Sequence, residues 1–268
     1  ENYWQISFLI LSIIITLCSI GLLFIPEKNS EEKIKLQNFT DQKIIDKIGS
    51  SNGFVKIFAW SYSTVINPLF SFFKKNTLSV ALSILGFVFL FKIGEAFLGR
   101  MSLVFYKEIG FSKTDIALYS KGIGWLTTVT FTLLGGLFAV RMGLIKAMFV
   151  SGILMALTNV MFSVLAWVGS SEILFAFTVL IDDLAAAFAT VAFVGFISAL
   201  VDRTYTATQY ALLASIGTAG RTLFASSSGM MVDWLNGNWI IFFIITALMV
   251  IPSLICLFLI RKKINLNE

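Results

Sequence analysis

Apolar residues in this chain come in long runs, not in alternation. Seven stretches, over residues 4–25, 77–99, 115–139, 144–167, 173–200, 207–234 and 239–260, are predominantly apolar. A hydrocarbon core of about 30 Å is crossed by about 20 residues of helix. Each run reaches that length without the period-two pattern of a barrel strand, so seven transmembrane helices are predicted. The fifth and sixth runs exceed the core thickness and predict tilted or protruding helices. Polar residues gather in one long stretch, 26–76. It opens with "PEKNSEEKIKLQNFTDQKIIDKIGSSNG", whose low hydropathy reads as a flexible linker. It closes with "FVKIFAWSYSTVINPLFSFFKKN", where aromatics and lysines mix as they do in a segment lying at a membrane interface.

Composition sharpens this picture. The 268 residues are 57% hydrophobic and 13% charged, whereas a soluble domain carries about 25% charged residues. No globular core could hide so much apolar surface, so the chain is expected to be an integral membrane protein. Its net charge of +5 then speaks of loop topology and not of nucleic acid. Lys and Arg collect on the side of cytoplasmic loops. If the 26–76 linker is cytoplasmic, that side holds fourteen of them, including Arg141, Lys146, Arg203 and Arg261, against three (Arg100, Lys107 and Lys113) on the other. The C-terminus is therefore expected in the cytoplasm.

Histidine is absent, which removes Ser-His-Asp catalysis, histidine metal sites and histidine proton relays together. Cys18 and Cys256 fall inside apolar runs without a partner at ligand spacing. With no nucleophile–base pair visible, neither an enzyme nor a cofactor is expected. Residue 1 is Glu, and the first run has no basic flank and no small-residue cleavage site, so it does not read as a signal peptide.

A few ionisable residues lie well inside the runs: Lys92, Glu95, Lys121, Asp182, Asp183 and Arg221. A charge at a helix centre costs about 2.5–3.5 kcal/mol on insertion scales, so such residues face a cavity or one another. They mark a transport pathway or, alternatively, structural pairs that hold helices in register. Lys92 and Glu95 share a helical face at i, i+3 and can neutralise each other. Asp182 and Asp183 are neighbours and project about 100° apart. With no histidine available, any proton pathway must run over Glu95, Asp182 or Asp183. Arg221 stands among Gly217, Gly220, Gly229 and three serines, a composition that suits close helix packing. At the cytoplasmic turns, Arg141 and the Asp202–Arg203 pair read either as a gate or as positive-inside anchors.

Several of these stretches resemble a known family. "NYWQISFLILSIIITLCSIGLLFIPE", "INPLFSFFKKN", "FKIGEAF", "SKGIGWL", "DDLAAAFATVAFVGFISALVDRTYTATQYALLASIGTAGR" and "NWIIFFIITALMVIPSL" look like the AmpG muropeptide permeases of the major facilitator superfamily. "TATQYALLASIGTAGR" and "KIGEAF" are the most specific. The resemblance spans essentially the whole chain, from the family's sixth helix to its twelfth. It implies an all-α, polytopic major facilitator fold lacking most of its N-terminal half. Residues 1–25 would be the last helix of the N-terminal bundle, 26–76 the cytoplasmic linker and 77–268 the C-terminal six-helix bundle. It also implies a proton-driven importer of anhydromuropeptides for cell-wall recycling in the bacterial inner membrane, of which this chain is a C-terminal fragment. Substrate would meet Lys92, Glu95, Lys121 and Arg221, with Asp182 and Asp183 coupling protons. Asp182 would face the cavity, and Asp183 would lean towards a neighbouring helix and pair with Arg221. The family's pattern has an acid and then Asn followed by glycines, where this chain has Asp183 and Ala185–Ala186, a departure that bears on cavity width and cargo. Other expectations compatible with the residues are a carrier for another anionic or sugar cargo and a non-transporting remnant.

Overall fold

The computed structural model describes residues 2–24, five isolated positions of the linker, 53–122, 124–202 and 205–264. The chain forms two compact units, Glu1–Ser63 and Thr64–Glu268. In the first, α1 (Asn2–Leu23) is apolar all round. Its hydroxyls fold back on their own helix, Thr16 donating to the Ser12 carbonyl and Ser19 to that of Ile15, both at 2.8 Å. That satisfies them without water. A short helix, α2 (Gly53–Ser61), lies in the same unit and runs into a π-helical turn at Tyr62–Ile66.

The second unit is a helical bundle. A short amphipathic helix, α3 (Asn67–Lys75), begins at Pro68 and ends on Lys74 and Lys75, charges that suit a helix C-terminus. It is followed by α4 (Leu78–Leu90) and α5 (Ile93–Glu108), which make one 31-residue apolar stretch broken at Phe91–Lys92. This stretch outruns the expected 77–99 span, ending only where Gly110 turns the chain with φ +98°. Next comes a π-helical segment at Ile116–Gly122, entered through a Ser112–Asp115 capping box. The long helices α6 (Gly124–Met142), α7 (Leu144–Val168) and α8 (Glu172–Leu200) succeed it. Then α9 (Thr206–Ala225) and α10 (Ser228–Trp234) form one broken helix. The last pair, α11 (Trp239–Leu248) and α12 (Ile251–Ile260), meets at a break explained by Pro252 in the first turn of α12.

Among the described residues, four stretches are long and apolar enough to cross a membrane: Leu78–Glu108, Leu144–Val168, Glu172–Leu200 and Trp239–Ile260. Gln5–Gly21 and Leu126–Met142 are shorter apolar helices. The Thr206–Ala225 helix does not qualify; Thr206, Thr208, Gln209, Thr218, Arg221 and Thr222 make it too polar. The all-α, polytopic membrane architecture stands, resting on these four apolar stretches.

Helix α8 is the bundle's centre, packed along both α6 and α7. Ala185, Ala189 and Ala192 are buried to within 1% along one stripe of it, and such small residues let helix backbones approach. On its other side, α7 packs on α11, while α4 packs on α9 and α12. Apolar side chains form two clusters. One holds Phe87, Phe91, Met155, Ala185 and Phe196. The other holds Ile93, Phe105, Phe162, Val179 and Phe243, its rings meeting edge-on, as Phe105 does Phe243 at 4.7 Å.

Candidate functional site

A polar layer separates the two apolar clusters. The first ends at Phe91, Met155 and Ala185; the second resumes at Ile93, Phe162 and Val179. Between them lie Lys92, Glu95, Thr158, Asn159, Asp182 and Asp183, supplied by α5, α7 and α8 and the break before α5.

That break gives the layer its cation. Lys92 leaves helical geometry (φ −102°, ψ 14°) immediately before α5. Its ammonium donates to the Thr190 hydroxyl at 2.7 Å and to Glu95 Oε1 at 3.4 Å. Glu95 Oε2 stands 3.0 Å from Nζ, with the two side chains 13% and 18% exposed. Oε2 meets no hydrogen-bond geometry, so that contact is ionic. Glu95 also occupies the first turn of α5, where the helix dipole favours a carboxylate. Asn159 is buried to 1% and is held against Gly94. A Cβ at Gly94 would come within 3.2 Å of Asn159 Nδ2 and 2.6 Å of the Thr246 carbonyl oxygen. Glycine there is what lets α5 and α11 meet.

The two aspartates occupy different surroundings. Asp182 is half-buried and belongs to the alanine stripe, three and seven residues before Ala185 and Ala189, so it turns inward. Thr158, whose hydroxyl donates to the Met155 carbonyl at 3.0 Å, and Glu95 both act on its carboxylate. Asp183 points to α6, where Thr127 donates to its Oδ2 at 2.7 Å. It lines a cavity of about 350 Å³ with Tyr119, Thr127, Phe177 and Leu180. Asp183 thus leans on a neighbouring helix and lines a cavity beside it. The buried alanine stripe fixes the rotation of α8 and so decides which neighbour turns inward.

Asp183 and Arg221 do not pair. Arg221 is exposed on α9, lines other cavities and makes no ion pair among the described residues. The small residues before it do pack closely: a Cβ on Gly220 would run into the Phe89 carbonyl. Lys121 lies in the π-helical segment, and its side chain falls outside the described residues, as does Arg203 altogether.

Arg141, in the last turn of α6, and Asp202, just after α8, sit at one end of the bundle. Arg141 is exposed beside a cavity of about 580 Å³ lined by Gly136, Val140, Leu144 and Gly195. The Asp202 backbone N–H donates to Gln209 Oε1 at 2.7 Å, and Gln209 Nε2 donates to the Pro68 carbonyl at 2.9 Å. Gln209 is 2% exposed and ties the α8–α9 turn to α3. Sequence reading did not single it out, although a lone Gln opening a helix of apolar and small residues is such a signal.

Helices long and apolar enough to cross a bilayer, with charged side chains held between their apolar layers, define a polytopic membrane protein. Over 265 residues the chain is 32% identical to "Putative transporter AmpG 4" of Rickettsia felis, covering 98% of this chain and 58% of that protein. The protein of the same name in Rickettsia conorii matches equally, at 32% over 265 residues. "Anhydromuropeptide permease" of Escherichia coli K12 is 28% identical over 202 residues, 75% of this chain and 40% of that one. The chain thus spans about half the length of the curated relatives it matches. No family model matches it. The chain belongs to the AmpG transporter family.

Proposed function

We propose that this chain serves as one bundle of a proton-driven secondary transporter of the major facilitator type. It would import peptidoglycan-derived anhydromuropeptides across the bacterial inner membrane, with its C-terminus in the cytoplasm. The opposing bundle would come from the length that its relatives have and this chain does not span. The carrying observation is the Lys92–Glu95 ion pair with Asp182 beside it, held between two apolar layers. Substrate and ion sites of such transporters lie near mid-membrane at the bundle interface.

The chemistry follows from charge. With Asp182 protonated, Lys92 and Glu95 balance each other. Ionising Asp182 adds a second negative charge beside Glu95, which low dielectric makes costly. Proton uptake and release thus alter how firmly Lys92 is held and how available it is to an anionic cargo. Lys121 and Arg221 would add attraction for that cargo, and Asp183 would act from its own cavity. Arg141, Asp202 and Arg203 would form the cytoplasmic gate.

The test is uptake of labelled anhydromuropeptide by proteoliposomes holding the complete transporter. Asp182→Asn is expected to abolish uphill, pH-driven accumulation and spare downhill exchange, and Asp183→Asn to do much less. Full pH-driven accumulation by Asp182→Asn would remove it from the coupling pathway.

A further inference from the structure

One face of α5 and α9 carries two arginines that make no ion pair among the described residues. Arg100 and Arg221 line a single cavity of about 380 Å³, whose floor is made by Ala96, Gly99, Thr218 and Ala225. Thr218 and Arg221 also line an adjoining cavity of about 190 Å³ that reaches Lys92, Thr190 and Tyr210. The two cavities form one groove with an arginine on each wall and a lysine at its inner end. Among the described residues no carboxylate lines either part. Lys92 is engaged by Glu95 and Thr190. Arg100 and Arg221 are both exposed and make no ion pair among the described residues.

Arg100 is not a loop residue, as a span ending at 99 would make it. It stands inside α5, eight residues before Glu108, or about 12 Å of helix from that end. A side chain at Gly99 would meet nothing within 4 Å, so the groove is open beside Arg100. Thr218 and Thr222 turn their hydroxyl protons to the carbonyls of Ala214 and Thr218, leaving the arginines as the groove's donors. Arginine's planar fork matches a carboxylate in bidentate fashion.

We propose that Arg100 and Arg221 together clamp a carboxylate-bearing peptide segment of the cargo, with Lys92 marking the inner end of the same groove. This rests on the muropeptide reading for the cargo's identity but not for the clamp's chemistry. Arg100 thereby becomes a binding residue alongside Arg221.

The test uses the whole chain in lipid nanodiscs and three labelled probes. They are an anhydromuropeptide with free carboxylates, the same compound with its carboxylates amidated, and the dipeptide L-alanyl-D-glutamate without sugar. Charge-assisted bonds of this kind correspond to about tenfold or more in affinity each. Both free-acid probes should therefore lose at least about tenfold on Arg100→Gln or Arg221→Gln, while Arg100→Lys retains part of the binding. Both arginines are exposed, and unchanged helical circular dichroism in the variants keeps the comparison one of binding. Equal binding of acid and amide by the unaltered protein would overturn the clamp and leave the muropeptide reading intact. Arginine-dependent binding of the dipeptide without binding of the muropeptide would uphold the clamp and sink that reading. Absence of arginine-dependent binding by either acid would overturn the clamp.

Discussion

Gly94→Ala tests the closest helix contact beside the polar layer. The added methyl would sit 2.6 Å from the Thr246 carbonyl oxygen, 3.1 Å from Val250 Cγ2 and 3.2 Å from Asn159 Nδ2. Ordinary contact begins at 3.4 Å, so either α11 retreats by about 0.8 Å or the Asn159 amide is displaced. Overpacking of this kind costs about 1–3 kcal/mol. Alanine also gains about 1 kcal/mol over glycine in helix propensity, which would mask part of the loss. Gly99→Ala, on the same helix with nothing within 4 Å, receives the propensity gain alone. The difference between the two variants therefore isolates the clash. At about 2–4 °C per kcal/mol for a unit of this size, Gly94→Ala should unfold about 2–12 °C below Gly99→Ala. Thermal scans of both proteins in the same detergent, at one heating rate and followed by helical circular dichroism, measure this. A midpoint for Gly94→Ala at or above that of Gly99→Ala would refute the close approach of α5 and α11.

Other outcomes follow from the same geometry. Lys92→Met strands Glu95 in a mostly buried site and should destabilise the chain, whereas Lys92→Met combined with Glu95→Gln should recover much of the loss; an additive double mutant in the same thermal assay would contradict the pairing. Thr127→Val removes the hydroxyl that donates to Asp183 at 2.7 Å and should cost about 1.5–3 kcal/mol, as hydrogen bonds to charged groups do, while Thr128→Val, whose hydroxyl bonds only its own helix at Gly124, should cost less. In a chain freed of Cys18 and Cys256, cysteines at Thr40 and Asn265 should resist an impermeant thiol reagent in intact cells while one at Ser170 labels; labelling at Thr40 would overturn the proposed orientation.

Sequence alone determined the membrane character of this chain. Apolar runs of bilayer length cannot be hidden in any other way, and the absence of histidine confines ionisable chemistry in the spans to a handful of residues. The i, i+3 spacing of Lys92 and Glu95 is a local helical relation, so their ion pair was legible too. The motifs "KIGEAF" and "TATQYALLASIGTAGR", most specific in the resemblance, contain the glycines at which α5 meets α11 and α9 meets α4.

What sequence could not decide is everything that depends on rotation and register. Adjacency places Asp182 and Asp183 about 100° apart, yet only the burial of Ala185, Ala189 and Ala192 turns Asp182 inward and gives Asp183 to the cavity beside Thr127. Arg100 stands at the edge of an apolar run and counted as a loop charge until α5 proved to continue to Glu108. Its place in one groove with Arg221, 121 positions away in the sequence, is a consequence of packing α9 against α4 and α5. Gln209 likewise acquires its role only when the Pro68 carbonyl comes within 2.9 Å. Helix periodicity fixes which residues share a face; which face meets which neighbour is set by side-chain volumes that only the assembled bundle brings together.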